Sequence, residues 1–576
     1  MGAERDLLNA LPDGVSNKKT ARAGAEHALR NMGGTEMTMR FHMAAILVLA
    51  LMAFGCGDDG GDTDADSGTD GGTDTDTEAL DPRFDAFVEA LKADLEDNDA
   101  YGVSAAVMEN GVVTFAAAFG SKDPDGVEPL TPEALMQIGS TTKQFTATAL
   151  LQKVEAGLVA VDDTLETLLP ELEFTGDATW DDQISVHHLL SHQGGLVDWT
   201  LGDASSDDAA LADFAYNGFA EEGYLMNPPG VFWNYANPNF SFAGLVTQTL
   251  DTRAWTDIMK EDVFEPVGMS RTFARKTEVE ADGDYALSYG LGLDDLTTGA
   301  MGPVSMDQMP DPAFDRPAGF IWTTPTQMMA WAKFLMDGDP AVLSDELRGE
   351  ITTAQVDTLY GAGSMSYGYG MFVETGYWAN DGSWYAMPVW QHGGNTLSFS
   401  HILYILPESD FAVSICSSGE GTDFSNALDA AITTLVDLPE PSPGPEYVID
   451  PVEFDDHIGT YNDPYNVGNM IITREGDTLL VEMPTLAFYG YDVTPELDAI
   501  SSDLFYMYLD GYGYDLAFVP LVEDGPSQYV RNRSFVTTRV DAGKSAPQAV
   551  PSEEDVERWM LRARLSDFPV RIARPR

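Results

Sequence analysis

The sequence predicts an α+β chain in which one antiparallel sheet carries a helical lobe and is followed by a small antiparallel β-barrel. Three observations predict it. Residues 81–437 begin and end with strand patterns and hold helical patterns between them. Leu438-Pro439-Glu440-Pro441-Ser442-Pro443-Gly444-Pro445 then reads as a stiff linker over 438–446. Beyond it, residues 447–541 carry short runs rich in Tyr, Val and Phe separated by turn residues.

The elements follow in chain order. Residues 1–56 end in an apolar run from Met43 to Gly55 behind Arg40, too short to span a bilayer and suited to a signal-peptide core. Small residues Ala53 and Gly55 precede Cys56, the pattern of a bacterial lipoprotein signal with Cys56 as the lipidated residue and Met37 or Met39 as the start. The expected location is therefore the cell envelope, with the membrane as a partner through a lipid anchor. Residues 57–80 are an acidic linker with too little apolar content to fold. Its aspartates lack the glycine and closing glutamate of a calcium loop.

Within 81–437, Phe84, Phe87, Val88, Leu91 and Leu95 mark an amphipathic helix. Val103–Met108 and Val112–Ala117 flank Glu109-Asn110-Gly111, whose Asn-Gly pair favours the positive backbone angles of a hairpin. His401–Leu406 and Phe411–Cys416 read as a second strand pair turning at Pro407–Asp410. In the barrel region, Ile458–Tyr461, Met470–Thr473, Leu479–Glu482, Leu504–Met507 and Leu516–Val519 are the expected strands. The tail, 542–576, carries a basic run from Arg558 to Arg564 in an otherwise acidic chain.

Composition excludes several classes. The 94 Asp and Glu against 30 Lys and Arg give a formal net charge of -64, which repels nucleic acid and marks a solvated surface rather than a substrate. Only Cys56 and Cys416 occur, so no disulfide framework is available, and Cys416 sits mid-strand as a core thiol. There is no Gly-x-Ser-x-Gly elbow, phosphate loop or dinucleotide fingerprint. His188 and His192 have the spacing of a metal pair, but no third ligand is evident, and no metal or organic cofactor is expected.

The chemistry centres on Ser140-Thr141-Thr142-Lys143, which opens a helical pattern running to about Gly157. A serine and a lysine three apart share one helical face, the arrangement of a nucleophile beside its base. The amine can take the hydroxyl proton only where burial or a second cation keeps it partly neutral.

Several further segments, in this order, resemble the serine β-lactamase and penicillin-binding family, in its branch of class C β-lactamases, D-Ala-D-Ala carboxypeptidases, D-aminopeptidases and esterases. They are Ile138–Lys143, His188-Leu189-Leu190-Ser191-His192 with Gly194-Gly195-Leu196, Pro229-Gly230, Tyr235-Ala236-Asn237, Pro266–Met269, Ala318–Thr324 and Gln391-His392-Gly393-Gly394-Asn395. The resemblance implies a β-lactamase/transpeptidase-like sheet and helical lobe, and a lipocalin-like C-terminal barrel that either buries apolar surface, the favoured reading, or walls the active-site cleft. It implies that Ser140 attacks a carbonyl, that Lys143 and Tyr235 handle protons with the phenol partly ionised, and that Asn237 orients Lys143 and substrate. It places the oxyanion hole at Ser140 with Gly394 and Asn395, and His392 in the catalytic set.

One departure bears on specificity. Where penicillin-recognising members carry Lys-Thr-Gly, this chain has His392-Gly393-Gly394, so a fixed cation for a substrate carboxylate gives way to an imidazole. The reading is a monomeric serine hydrolase acting through an acyl-serine on a small-molecule or peptide ester or amide. The alternatives are a D-Ala-D-Ala carboxypeptidase or D-aminopeptidase, a β-lactamase and, from another class, an inactive envelope lipoprotein that binds ligands in the same cleft.

Overall fold

Packing begins with the hairpin that the Asn-Gly signal predicts. Strands β1 (Gly102–Glu109) and β2 (Val112–Gly120) turn through Asn110 and Gly111 at φ 51° and 71°. The structure is a computed structural model that describes residues 80–174, 180, 182–198, 205–296, 298–522, 525–540 and 550–566. The apolar run, Cys56 and nearly all of the acidic stretch after it lie outside the described residues. The described residues belong to one compact unit, Ala79–Arg576.

Two short ribbons follow in the chain, β3 (Met136–Gln137) with β6 (Trp322–Thr323), and β4 (Ser288–Gly290) with β5 (Gly302–Val304). The main sheet then continues through β7 (Val356–Asp357), β8 (Met365–Tyr367), β9 (Phe372–Trp378), β10 (Trp384–Asn395), β11 (Ser400–Leu406) and β12 (Phe411–Ser417). Its eight strands lie in the order β2-β1-β12-β11-β10-β9-β8-β7, with antiparallel neighbours throughout.

Alternation along β1 explains why this sheet is buried on both faces. Val103, Ala105 and Val107 face a cluster with Phe84, Phe87 and Leu91 of helix α1 (Asp85–Glu96) and its preceding turn, while Ala106 and Met108 face the helical lobe. The lobe contains α2 (Lys143–Glu155), α3 (Asn237–Asp251) and α4 (Pro325–Asp337). Helix α5 (Ser425–Leu435) returns to lie beside α1, burying Ala427, Leu428 and Ile432. Helix α2 is buried almost all round, from Lys143 to Leu151, as a central helix must be.

The second sheet comprises β13 (Gly459–Asp463), β14 (Gly468–Glu475), β15 (Thr478–Glu482), β16 (Asp498–Ala499), β17 (Leu504–Leu509), β18 (Tyr512–Pro520), β19 (Ser527–Asn532) and β20 (Phe535–Arg539). Strand β13 pairs both β14 and β20, and Val481 and Leu497 N–H bonds to Pro495 and Leu479 carbonyls join β15 to the chain entering β16. The sheet therefore closes nearly into a barrel, filled by Tyr461, Met470, Phe505, Leu516, Phe518 and Val530. The basic tail forms helix α6 (Glu553–Ser566), with Val556 and Trp559 buried in the barrel cluster. No helix among the described residues is long and apolar enough to cross a membrane.

Candidate active site

Ser140 lies not in the α-helix itself but in the tight turn Gly139–Thr142 that leads into α2. That turn needs glycine at 139, where φ is 50° and a Cβ would sit 2.4 Å from the Asn395 nitrogen. The turn still leaves Ser140 and Lys143 adjacent. The Lys143 Nζ lies 2.9 Å from Ser140 Oγ, 2.8 Å from Asn237 Oδ1 and 2.7 Å from the Ala318 carbonyl oxygen.

Lys143 is fully buried, and burial drives its pKa well below that of an ordinary lysine. Arg533 pushes it the same way, and Asp198 and Asp315 oppose. A neutral amine has two N–H bonds and one lone pair. The Asn237 and Ala318 oxygens accept only, so they take both N–H bonds and the lone pair is left facing the Ser140 hydroxyl.

Tyr235 completes the group through a hydrogen bond with Ser140. Its ring centroid is 4.8 Å from Lys143 Nζ. Burial raises the phenol above its usual pKa, with Arg533 and the Ser140 bond opposing. Burial thus acts against the partly ionised phenol that the resemblance implies, as it acts against the charged amine. The reason is physical: a site this dry disfavours both charged forms.

Asn237 opens α3, with Pro238 in its first turn, and its backbone N–H donates to Asp198 Oδ1 at 2.7 Å. His192, at φ 57°, places its ring 4.1 Å from the Tyr235 ring and accepts at Nδ1 from Ala236 N–H at 3.3 Å. His188 instead closes a capping box with Ser185 at the start of Val186–Leu190, so the two histidines hold different partners. Among the described residues no group of three or more His, Cys, Asp or Glu is arranged to hold a metal.

The third motif runs along β10. Pairing with β9 stops at Gln391, whereas β11 pairs on to Asn395, so the His392–Asn395 edge lies outside the β9 ladder. This edge meets the Ser140 turn. Thr141 Oγ1 donates to the His392 carbonyl at 3.2 Å, and a Cβ on Gly394 would lie 1.9 Å from the Ile138 oxygen and 2.8 Å from the Ser140 nitrogen. The backbones of Gly394 and Asn395 therefore run in direct contact with the Ile138–Ser140 backbone.

His392 Nε2 is 3.0 Å from the Tyr367 hydroxyl, and the ring is 2% exposed. Burial, helped by Lys143, takes its pKa down to about 3, so the imidazole is neutral and supplies no cation. Cys416 is a buried free thiol whose pKa burial pushes up.

Three groups that support this site, Tyr367, Asp198 and Arg533, carry no motif in the sequence, and a fourth, Ala318, opens a segment of the resemblance that carries no stated role. Ala318 contributes only a carbonyl, held in a turn that Arg316 anchors through a buried bidentate pair with Asp311 at 2.8 and 2.6 Å. Tyr367 and Asp198 sit in segments without distinctive neighbours. Arg533 comes from the turn between β19 and β20, where its Nε donates to Asp198 Oδ2 at 2.9 Å and its guanidinium lies 4.6 Å from the Tyr235 ring centroid. The barrel thus reaches the site rather than only burying apolar surface.

Comparison with known proteins agrees with this architecture. Protein flp of Staphylococcus aureus is 24% identical over 249 residues, 43% of this chain and 48% of that protein. Penicillin-binding protein 4 of Amycolatopsis lactamdurans is 26% identical over 215 residues, 36% of this chain and 52% of that protein. The chain spans about half the length of the curated relatives it matches. The fold is shared with the crystal structure of SurE (TM-score 0.56, 19% identity, 80% of this chain and 99% of that one). It is shared too with the octameric penicillin-binding protein homologue from Pyrococcus abyssi (TM-score 0.50, 20% identity, 79% and 99%). The family model described as Beta-lactamase matches residues 84–437, well over half of the sequence, and the chain belongs to the beta-lactamase family.

Proposed function

We propose that this protein is a serine hydrolase that cleaves an ester or amide through an acyl-Ser140 intermediate. One observation carries the reading: the buried Lys143 Nζ lies 2.9 Å from Ser140 Oγ and within hydrogen-bond distance of two acceptors, Asn237 Oδ1 and the Ala318 carbonyl, so that in its neutral form the lone pair is left for Ser140. Lys143 takes the Ser140 proton as Oγ attacks the carbonyl carbon. Negative charge on the carbonyl oxygen is met by the Ser140 and Asn395 N–H groups, with Gly394 giving the close approach. Tyr235, protonated and bonded to Ser140, passes a proton to the departing alcohol or amine and is reprotonated through Lys143. Water then attacks the acyl carbon, with the same pair drawing off its proton, and Ser140 is regenerated.

The neutral His392 favours substrates that need no cation for a carboxylate at the third motif, which supports esters over β-lactams. A panel of short p-nitrophenyl esters, D-Ala-D-Ala peptides, D-amino acid amides and a chromogenic cephalosporin ranks the alternatives, and turnover of the peptides alone would overturn the ester preference. Intact mass after a fluorophosphonate tests the reaction class. One adduct, lost in Ser140→Ala, is expected; none in the wild-type protein would favour the binding-lipoprotein reading.

The barrel is read as lipocalin-like because its eight strands follow one another up and down in sequence order. Lipidation of Cys56 and an envelope location rest on the sequence before and at that cysteine, and palmitate labelling lost in Cys56→Ser tests them. Light scattering separates the expected monomer from a larger assembly.

A further inference from the structure

Three successive residues at the tip of the β19–β20 hairpin address three successive residues of the tyrosine segment. Arg531 Nη1 donates to the Trp233 carbonyl at 2.9 Å. Asn234 Nδ2 donates to the Asn532 carbonyl at 3.4 Å. Arg533 stacks on the Tyr235 ring at 4.6 Å and pairs with Asp198 at 2.7 Å, while the other oxygen of Asp198 receives the Asn237 N–H. The tip is itself braced, since Asn532 Nδ2 donates to the Asp515 carbonyl at 2.9 Å and Ser534 Oγ donates to Asn532 Oδ1 at 2.7 Å.

We infer that the C-terminal barrel is a working part of the active site, with Arg533 a positioning residue that holds Tyr235 and Asn237 and, together with Asp198, sets the charge that Lys143 meets. This rests on the serine hydrolase reading. A contact made only for domain docking needs no cation against the tyrosine ring and no carboxylate shared with the first turn of α3. Here one ion pair touches both residues that bracket Lys143, and Arg533 and Asp198 act on that amine with opposite sign. The other charged or titratable groups facing Lys143 are Asp315, His192, His392 and Tyr235.

The test is the pH dependence of fluorophosphonate labelling at Ser140, read by intact mass, in the full chain. Removing the cation in Arg533→Met leaves Asp198 unopposed, favours the charged lysine and moves the acid limb of the profile up by about one pH unit. Removing the anion in Asp198→Asn leaves Arg533 unopposed and moves the limb down. Arg533→Lys keeps the charge and holds the midpoint, with a slower rate because the planar stack is lost. A purely structural role lowers the whole profile without moving its midpoint. Midpoints that coincide with wild type, or that move the same way in both variants, overturn the inference. If Arg533→Met does not unfold cooperatively, Asp198→Asn and Arg533→Lys decide. Labelling of wild type with unmoved midpoints removes this inference alone, whereas no Ser140 adduct in wild type removes the hydrolase reading and the inference with it.

Discussion

Lys143 gives one of its N–H bonds to the Ala318 carbonyl, 2.7 Å away, and that bond fixes which way the amine faces. With Asn237 Oδ1 taking another N–H at 2.8 Å, the lone pair of the neutral amine is left for Ser140. The Ala318 turn thus orients the Lys143 amine, and the buried Arg316–Asp311 pair holds that turn in place.

Lys143→Gln preserves a donor for Ala318 but carries no basic lone pair. Fluorophosphonate labelling of Ser140 is expected to slow by about 10²–10⁴-fold, the range for loss of a general base, while unfolding stays cooperative. A labelling rate within threefold of wild type would remove Lys143 from the role.

Tyr235→Phe keeps the ring that packs on His192 and under Arg533 and deletes only the hydroxyl. A nitrophenolate departs without a proton and an amine does not. The kcat/KM for an amide is therefore expected to fall at least tenfold further than that for a p-nitrophenyl ester, within the usual range for general acid catalysis. Equal losses on both substrates would assign the phenol to Ser140 positioning alone.

The sequence carried the hairpin at Asn110-Gly111, the α1 stripe, the β11–β12 pair and the serine–lysine spacing, because each is a local pattern that local physics enforces. The same locality explains what was missed. Ser140 was expected on the helix, but Gly139 and the approaching β10 edge tighten its turn, a constraint that comes from a strand over 250 residues later. The depth of burial is hidden for the same reason: that of Lys143 and Tyr235 follows from the packing of α3, β10 and the barrel and leaves no trace in residue spacing. Arg533 sits in a turn of ordinary composition, and only the closed barrel aims it at Tyr235.

Gly394→Ala tests the β10 edge. Its Cβ would stand 1.9 Å from the Ile138 carbonyl oxygen, so the edge must move away from the Ser140 N–H. Loss of one oxyanion donor slows acylation by about 10²–10³-fold. Gly302→Ala, where a Cβ meets nothing, is the matched control and should label at the wild-type rate.

Acid should unfold this protein partly through buried imidazoles. His392 and His401 are both held down to about 3 by burial, His401 between Thr141 Oγ1 at 2.8 Å and Ser414 Oγ at 2.9 Å. Their folded pKa values lie below the unfolded value of about 6.5, so the unfolded chain binds more protons between those limits. Stability is full above pH 6.5 and falls as the pH drops towards 3, by about 2 kcal/mol for each imidazole by pH 5. Urea midpoints of His401→Gln measured at pH 7 and pH 5 should differ by less than those of wild type; an equal difference would exclude His401 as a source of the acid sensitivity.

Trp559 links the tail helix to the site, because its indole N–H donates to Ser534 Oγ at 3.1 Å, next to Arg533, while its ring packs 5.7 Å from Phe535 in the barrel. Trp559→Ala empties a buried indole and is expected to lower stability by about 3–5 kcal/mol. If α6 only caps the barrel, labelling of the surviving folded protein is unchanged. If α6 also braces the hairpin, labelling slows, as it does in Ser534→Ala, which removes this bond and the one to Asn532 Oδ1 while leaving the indole packed, at a stability loss of about 1–2 kcal/mol. A folded Trp559→Ala protein that labels at the wild-type rate would confine the tail helix to stability.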